Sequence, residues 1–267
     1  MADPKITHTE VLSLTQRGGH IFQLIVKAPP GDWTDPGVFA KLRAWAEAPY
    51  VYPLLDRPIS VHRFSKNGPE RTLEFLIREI GPGTSFLAKL KPTDKLKITG
   101  PLGRGLLSLA PDILSQPLYL VAGGIGLAPM ACVLELKPPK PLLFYGERSG
   151  CFQIDRDYLA SFAPDFMAST EDGRGYGQKG LVTGLVRKAL EVEKRTILAC
   201  GPRGMLAALA PLARKFGVRL YVSGEAFFGC GLGVCLSCSL PLSDKTRFRL
   251  CQEGPVIDGL KVDWDKR

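Results

Sequence analysis

The chain has 267 residues, of which 45% are hydrophobic and 23% are charged, and it carries a net charge of +9 at pH 7. This composition is close to that of soluble globular proteins and excludes a disordered or fibrous chain. The length suits two modest domains, or one domain with an appendage.

Residues 1–105 are predicted to form a small antiparallel β-barrel. Short strand-like segments are separated by clusters of Gly and Pro, which is typical of such barrels. The predicted strands are 6–14, 20–27, 38–44, 59–64, 72–80 and 95–99. A short helix is expected at 84–90, between the last two strands.

Three groups of residues in this barrel together indicate a pyrophosphate site. An arginine side chain, a serine hydroxyl and amides at the start of a helix are donors that suit an anionic ligand. The candidate residues are Arg57, Pro58, Ile59 and Ser60, then Leu76, Ile77 and Arg78, then Gly83 and Thr84. Each group alone is more typical of a surface charge or a turn, so the prediction depends on their combination.

In residues 106–222, strand-like segments alternate with helix-like segments. This pattern predicts an α/β domain with a parallel sheet and helices on both faces. The expected strands are 118–121, 142–145, 166–168, 196–199 and 218–222. Of the expected helices, the first ends near 136, and the other two cover 181–191 and 203–216. The uncharged stretch 113–134 is long enough to span a membrane. Its two prolines and three glycines favour a buried strand, a turn and a helix instead.

Two turns of this domain predict a dinucleotide site. Gly123, Gly124, Ile125 and Gly126 follow a strand and open a helix, where a backbone can approach a phosphate closely. Cys200, Gly201 and Pro202 follow a later strand, at the edge where ligands of parallel sheets bind. Cys200 is therefore a candidate catalytic residue facing the reacting cofactor, and a buried thiol before a turn is the alternative.

Residues 223–267 form a cysteine-rich tail with a metal-binding pattern. Cys230, Cys235, Cys238 and Cys251 have the spacing C-x4-C-x2-C-x12-C, with glycines at 229, 231 and 233. This spacing is the plant-type [2Fe–2S] pattern, and the alternative is a zinc site with four cysteines. The scattered Cys132 and Cys151 are expected to fill the core.

The basic charge is spread along the chain, without a Lys/Arg block typical of a nucleic-acid arm. The N-terminus has no basic-then-apolar signal pattern. We therefore expect a cytoplasmic protein without disulfides, with no nucleic-acid partner and no membrane association.

These motifs resemble the ferredoxin–NADP reductase superfamily. The resemblance rests on the order of Arg57 to Ser60, Gly83-Thr84, the run 123–129 and Cys200-Gly201-Pro202. The four-cysteine tail, followed by Glu-Gly-Pro-Val at 253–256, is similar to the electron-transfer subunits of NAD-dependent dihydroorotate dehydrogenase. Two departures are Ala122, in place of the usual first glycine of the nucleotide loop, and an unusual segment 45–56 expected to reshape the flavin rim.

The resemblance implies FAD in the barrel, NAD in the α/β domain and a [2Fe–2S] cluster in the tail. It also implies a separate FMN-containing catalytic subunit, two of each subunit forming a heterotetramer, and a role in pyrimidine biosynthesis. A cluster transfers one electron and nicotinamide accepts a hydride, so a flavin between them is chemically required. Glu171 and Asp172 favour NAD over NADP because they oppose a 2′-phosphate, although Arg174 lies nearby.

Two alternatives predict different partners. The first is the electron-transfer subunit of another complex, such as a sulfhydrogenase or a ferredoxin-dependent transhydrogenase. The second is a zinc-stabilised nucleic-acid-binding module, prompted by the net charge of +9. The second predicts a colourless protein with salt-sensitive binding.

Overall fold

The computed structural model describes residues 5–45, 52–66 and 71–266. Residues 46–51 of the segment predicted to reshape the flavin rim lie outside this range. The first six strands close into an antiparallel barrel in the order β1-β2-β5-β4-β3-β6, which confirms the predicted barrel. These strands are β1 (Lys5–Gln16), β2 (Ile21–Lys27), β3 (Phe39–Arg43), β4 (Arg57–Ser65), β5 (Thr72–Arg78) and β6 (Lys95–Leu102). Helix α1 (Pro82–Leu87) lies between β5 and β6.

Apolar side chains from facing strands fill the barrel. Phe22 and Leu24 on β2, Leu42 on β3 and Phe75 on β5 are almost completely buried there. Burial of such side chains stabilises the fold by about 1.5–3 kcal/mol each. The segments with alternating or β-branched residues therefore form the strands that the sequence predicts.

The second part of the chain forms a seven-stranded sheet in the order β10-β9-β8-β7-β11-β12-β15, in which β15 is Val256–Asp258. Its parallel strands are β7 (Leu118–Gly123), β8 (Leu142–Glu147), β9 (Phe166–Thr170), β10 (Gln178–Lys179), β11 (Thr196–Cys200) and β12 (Leu220–Ser223). The helices are α2 (Leu106–Leu109), α3 (Ala128–Glu135), α4 (Arg156–Phe162), α5 (Val182–Val192) and α6 (Arg203–Phe216). Short 3-10 turns cover Ile113–Ser115, Gly124–Leu127 and Gly150–Phe152.

Helices cover both faces of this sheet, as the sequence predicts. Met130 of α3 and Leu159 of α4 belong to one buried cluster, which includes Ile21 and Leu76 of the barrel. The helices α5 and α6 pack on the opposite face. The barrel is therefore docked on the side of the sheet that carries α3 and α4.

The tail contains more regular structure than the sequence suggests. Strands β13 (Ser239–Pro241) and β14 (Arg247–Arg249) form a hairpin. Strand β15 (Val256–Asp258) returns to the main sheet and pairs antiparallel with β12. The division at 105/106 and 222/223 stays a prediction, and this pairing ties the last predicted unit to the second.

The barrel and the sheet meet at a buried histidine. His62 of β4 is completely buried, and its Nδ1 donates to the Ala128 carbonyl oxygen at 2.9 Å. Its Nε2 accepts from the Tyr158 hydroxyl at 3.0 Å. Cys132 is buried beside it and donates from Sγ to the His62 carbonyl oxygen at 3.1 Å, so the core position predicted for Cys132 is confirmed.

Cys151 is exposed, and the core position predicted for it is wrong. It lies in the turn Gly150–Phe152, of which no residue is buried, and its thiol donates to Ser149 Oγ at 3.4 Å. Within the described ranges, none of the helices combines the length and the apolar character needed to cross a membrane.

Candidate functional site

A cavity of about 410 Å³ lies between the barrel and the main sheet. Strands β4 and β5 supply one wall, and the carboxyl ends of sheet strands supply the other. The sequence-predicted residues on its wall are Arg57, Pro58, Ile59, Ser60, Leu76, Ile77, Arg78, Thr84, Ile125, Gly126 and Cys200. The barrel motifs and the sheet motifs, far apart in sequence, thus face one space.

Arg57 lies against the first turn of α1. A Cβ built on Gly83 would be 2.2 Å from Arg57 Nε, so a larger residue at position 83 would displace this side chain. The guanidinium carbon is also 5.8 Å from the centre of the Trp45 ring. Among the described residues Arg57 makes no ion pair, so its charge is available to an anionic ligand in the cavity.

Thr84 has a local role in the same turn. Its hydroxyl accepts hydrogen bonds from the backbone N–H of Ile80 at 3.0 Å and of Gly81 at 3.1 Å. It donates to the Gly81 carbonyl oxygen at 2.9 Å. These bonds use the hydroxyl, with the amides of Ile80 and Gly81, to shape the start of α1.

Arg78 crosses from β5 to the main sheet. It forms an ion pair with the buried carboxylate of Glu147 and donates to the Phe152 carbonyl oxygen at 2.9 Å. The hydroxyl of Tyr145 donates to Glu147 Oε1 at 3.0 Å. Sequence reasoning missed Glu147, whose only signal is a carboxylate at the end of an otherwise apolar strand.

The glycine turn after β7 is packed against the turn after β11. A Cβ on Gly126 would lie 2.1 Å from the Cys200 carbonyl oxygen, and one on Gly123 would lie 2.7 Å from Cδ of Pro202. Gly201 has a φ of +153°, with Gly123 at its side. Glycine is therefore required where the two turns meet, at the carboxyl edge of the sheet.

Cys200 faces the cavity beside two polar residues from the end of β12 and the chain that follows it. It is paired in register with Ser223, and Ser223 and Glu225 line the same cavity. Burial, together with the nearby Glu225 carboxyl, raises the pKa of the Cys200 thiol. Burial also raises the pKa of Glu225. Sequence reasoning missed Glu225, an acidic residue that follows a buried strand.

The four tail cysteines are held on one loop and its return. We define the cluster loop as residues 229–238. Backbone N–H groups of this loop point at sulfur: Gly233 donates to Cys251 Sγ at 3.0 Å and Leu232 to Cys230 Sγ at 3.3 Å. The N–H of Cys230 and the hydroxyl of Ser237 lower the pKa of Cys235 to about 6.

The sulfur atoms of these four free cysteines lie in two neighbouring pairs. The Sγ atoms of Cys238 and Cys251 are 3.3 Å apart. Cys230 and Cys235 donate from their backbone N–H groups to each other's sulfur, both at 3.4 Å. Within the described residues, no three His, Cys, Asp or Glu side chains converge as the ligands of one metal ion would. Two pairs of sulfurs fit a cluster with two irons, each iron taking one pair.

The cluster loop adjoins the cavity. Phe228, immediately before the loop, lines the cavity and packs edge-on against Phe39, with ring centres 5.0 Å apart. Only Gly229 separates Phe228 from Cys230. The donor set for a metal centre therefore lies next to the part of the cavity wall that Phe228 forms.

Comparison of the sequence with known proteins gives consistent matches. Residues 225–263 match the family model described as the iron-sulfur cluster binding domain of dihydroorotate dehydrogenase B. The electron transfer subunit of dihydroorotate dehydrogenase B (NAD(+)) from Clostridium acetobutylicum is 35% identical over 228 residues, which cover 85% of each chain. The subunit of the same name from Bacillus velezensis is 30% identical and covers 97% of this chain and 99% of its own.

Solved structures share the fold. A chain of the NADH-dependent reduced ferredoxin–NADP oxidoreductase superposes with a TM-score of 0.77 at 23% identity, covering 96% of this chain and 90% of its own. A ferredoxin–NADP+ reductase from Neisseria gonorrhoeae, solved with FAD and NADP, gives 0.62 at 17% identity, covering 80% of this chain and 92% of its own.

Proposed function

The chain belongs to the family of electron transfer subunits of NAD-dependent dihydroorotate dehydrogenase B, and we propose how its residues divide the work of the relay. A catalytic subunit is therefore its partner, and it passes electrons between that partner and NAD+. When bound, the [2Fe–2S] cluster supplies one-electron transfer, and FAD converts this to the two-electron chemistry of nicotinamide. The observation that carries the proposal is that Phe228 on the cavity wall is followed directly by the cluster loop.

On the barrel side, the flavin is held by the stretches 57–60, 76–78 and 83–84. Arg57 supplies the positive charge for the pyrophosphate, since its guanidinium lies over the glycine at the start of α1. Ser60 and Ile59 line the cavity beside it. A charge-assisted hydrogen bond of this kind contributes about 1.5–3 kcal/mol.

On the sheet side, the glycine turn 123–126 and the turn at Gly201 and Pro202 hold the dinucleotide. Cys200 and Glu225 face the reacting end, where they limit access of water and orient the nicotinamide. Burial raises the pKa of both groups, and it keeps the Cys200 thiol neutral. A neutral thiol suits the arrival of hydride at the nicotinamide, because it brings no negative charge to the reacting end.

In the tail, Cys230, Cys235, Cys238 and Cys251 are the iron ligands. The backbone donors of the cluster loop stabilise the thiolate form that iron binds. Phe39 and Phe228 lie between this loop and the flavin cavity, which supports a short path for the electron.

The partner docks on the cluster loop. This loop and the chain before it expose apolar side chains: Phe227 is 91% exposed and Val234 is 80% exposed. An exposed apolar patch beside a redox centre is typical of a protein interface. We propose an FMN-containing partner in a two-plus-two heterotetramer in the cytoplasm.

The test uses the full chain, purified anaerobically, alone and after co-expression with its FMN subunit. We expect flavin absorption, a rhombic EPR signal after reduction by dithionite, and bleaching of the flavin by NADH. The co-purified complex should form orotate with reduction of NAD+. A colourless, zinc-loaded chain, or a complex that forms no orotate when dihydroorotate and NAD+ are supplied, would refute the proposal.

A further inference from the structure

Strand β3 lies between the residues proposed to hold the flavin and the cluster loop. In register with β4, Phe39 is opposite Ser60 and Lys41 is opposite Pro58. Phe39 packs against Phe228, just before the cluster loop. One strand thus contacts both proposed redox sites, and its side chains are placed to affect both.

Lys41 is the charged residue of this strand that reaches the cluster loop. Its Nζ donates a hydrogen bond to the Cys230 carbonyl oxygen at 3.0 Å. Its aliphatic stem lies over Gly231, where a Cβ would be 2.8 Å from Lys41 Cδ. Gly231 has a φ of +76°, so glycine serves both the turn and the passage of the lysine.

We infer that Lys41 is a positioning residue that sets the reduction potential of the cluster. The inference rests on the proposed function, because it requires a cluster on Cys230. A cluster with four thiolate ligands carries a net negative charge, which grows by one unit when it accepts an electron. A lysine ammonium group fixed beside one ligand therefore stabilises the reduced state more than the oxidised state.

The nearby charges of the tail do not replace it. Arg249 and Glu253, on either side of Cys251, form an ion pair in which Nε and Oε2 are 3.1 Å apart. Their opposite charges largely cancel at the distance of the cluster. Lys41 instead directs its ammonium group to a carbonyl oxygen, and it forms no ion pair with the described residues.

The consequence is a bias in the equilibrium between flavin and cluster. The donor in turnover is the reduced flavin of the catalytic partner, which loses one electron as the cluster gains one. Lys41 makes this uptake more favourable, and it makes the onward step to FAD correspondingly less so. For one electron, each tenfold change in this equilibrium corresponds to about 59 mV.

The experiment is an EPR-monitored redox titration of the full chain with its cofactors, using dithionite and mediators. Lys41→Met removes the charge and the hydrogen bond, and Lys41→Gln removes the charge but keeps a donor. Lys41→Arg keeps the charge. The control Lys215→Met removes an exposed lysine charge from α6, outside the barrel and the cluster loop. Iron and flavin content, with circular dichroism, identify variants that are correctly assembled.

We expect Met and Gln at position 41 to make the reduced cluster about threefold to tenfold less favoured, which is a more negative potential. Lys41→Arg and Lys215→Met should titrate like the wild type. Unchanged potentials in assembled Met and Gln variants would overturn the inference, and so would a shift in Met alone. Lack of any cluster signal in the wild type would instead refute the proposed function.

Discussion

The buried His62 predicts a specific dependence of stability on pH. Burial at the seam between barrel and sheet lowers its pKa to about 3, and the charges of Arg63 and Arg17 act in the same direction. In the unfolded chain the ordinary value is about 6.5. Between these values the unfolded chain binds a proton that the folded chain does not, so stability falls as the pH falls below about 6.5.

The magnitude follows from the difference in proton binding. From pH 7.5 to 5.5 this histidine alone should reduce the free energy of unfolding by about 1.4 kcal/mol. His62→Phe keeps a ring against Phe162, whose centre is now 5.3 Å from that of the imidazole. It removes the hydrogen bonds to Ala128 and Tyr158, which should cost about 1–3 kcal/mol at pH 7.5. It also removes the titrating group.

The assay is urea unfolding of the full chain with its cofactors, for wild type and variant, at pH 7.5, 6.5 and 5.5. Groups other than His62 titrate in both proteins, so the difference between the two profiles isolates the histidine. The gap between wild type and variant should shrink by about 1.4 kcal/mol over this range. Parallel profiles would show that the imidazole is not excluded from protonation, and the reasoning from burial would then be wrong.

Three other substitutions test the rest of the site. Cys238→Ser should abolish the visible and EPR signals of the cluster while flavin content is retained. The exposed Cys151→Ser is the control and should change neither the cluster signals nor the flavin content. Loss of the visible and EPR signals in Cys151→Ser would contradict the assignment of the ligands. Glu171→Gln should reduce the preference for NADH over NADPH by about fivefold in kcat/KM, since repulsion of a phosphate at a surface amounts to about 1 kcal/mol; an unchanged ratio would remove this residue from the specificity site. Gly126→Ala should destabilise the chain by about 1–3 kcal/mol in thermal unfolding and slow flavin reduction by NADH, because its Cβ would overlap a backbone carbonyl. Gly184→Ala, where a Cβ meets nothing within 4 Å, should stabilise α5 by about 0.5–1 kcal/mol, and equal effects of the two alanines would refute the packing argument.

The sequence predicts the barrel and the main sheet because those elements are long enough to show a period. The elements it misses are short or depend on distant partners. Helix α4 has seven residues, and strand β15 has three. Strand β15 forms because it pairs with the edge of β12. The local sequence of β15 has no pattern that would predict this pairing. Tertiary contacts therefore determine the secondary structure of these short segments.

The candidate site divides in the same way. Cysteine spacing identifies the four proposed iron ligands, because residues that bind one metal centre from a single loop lie close together in the sequence. Glu147 and Glu225 were missed, because Glu147 ends one strand and Glu225 follows another, and the neighbours of these strands are brought together only by the fold. The core position predicted for Cys151 is wrong, because it rested on the usual burial of free cysteine, whereas this cysteine lies in an exposed turn.

Arg57 and Arg78 show how the structure separates two residues that the sequence treats alike. Both were predicted to hold the flavin, and both face the cavity. Arg78 is already paired with the buried Glu147, and breaking that pair would leave a carboxylate uncompensated at a cost of about 3–5 kcal/mol. Binding a pyrophosphate through Arg78 would therefore be opposed, while Arg57 has no competing carboxylate among the described residues. We therefore propose that Arg78 lines the flavin cavity while joining the barrel to the sheet, and that Arg57 supplies the charge for the flavin phosphates.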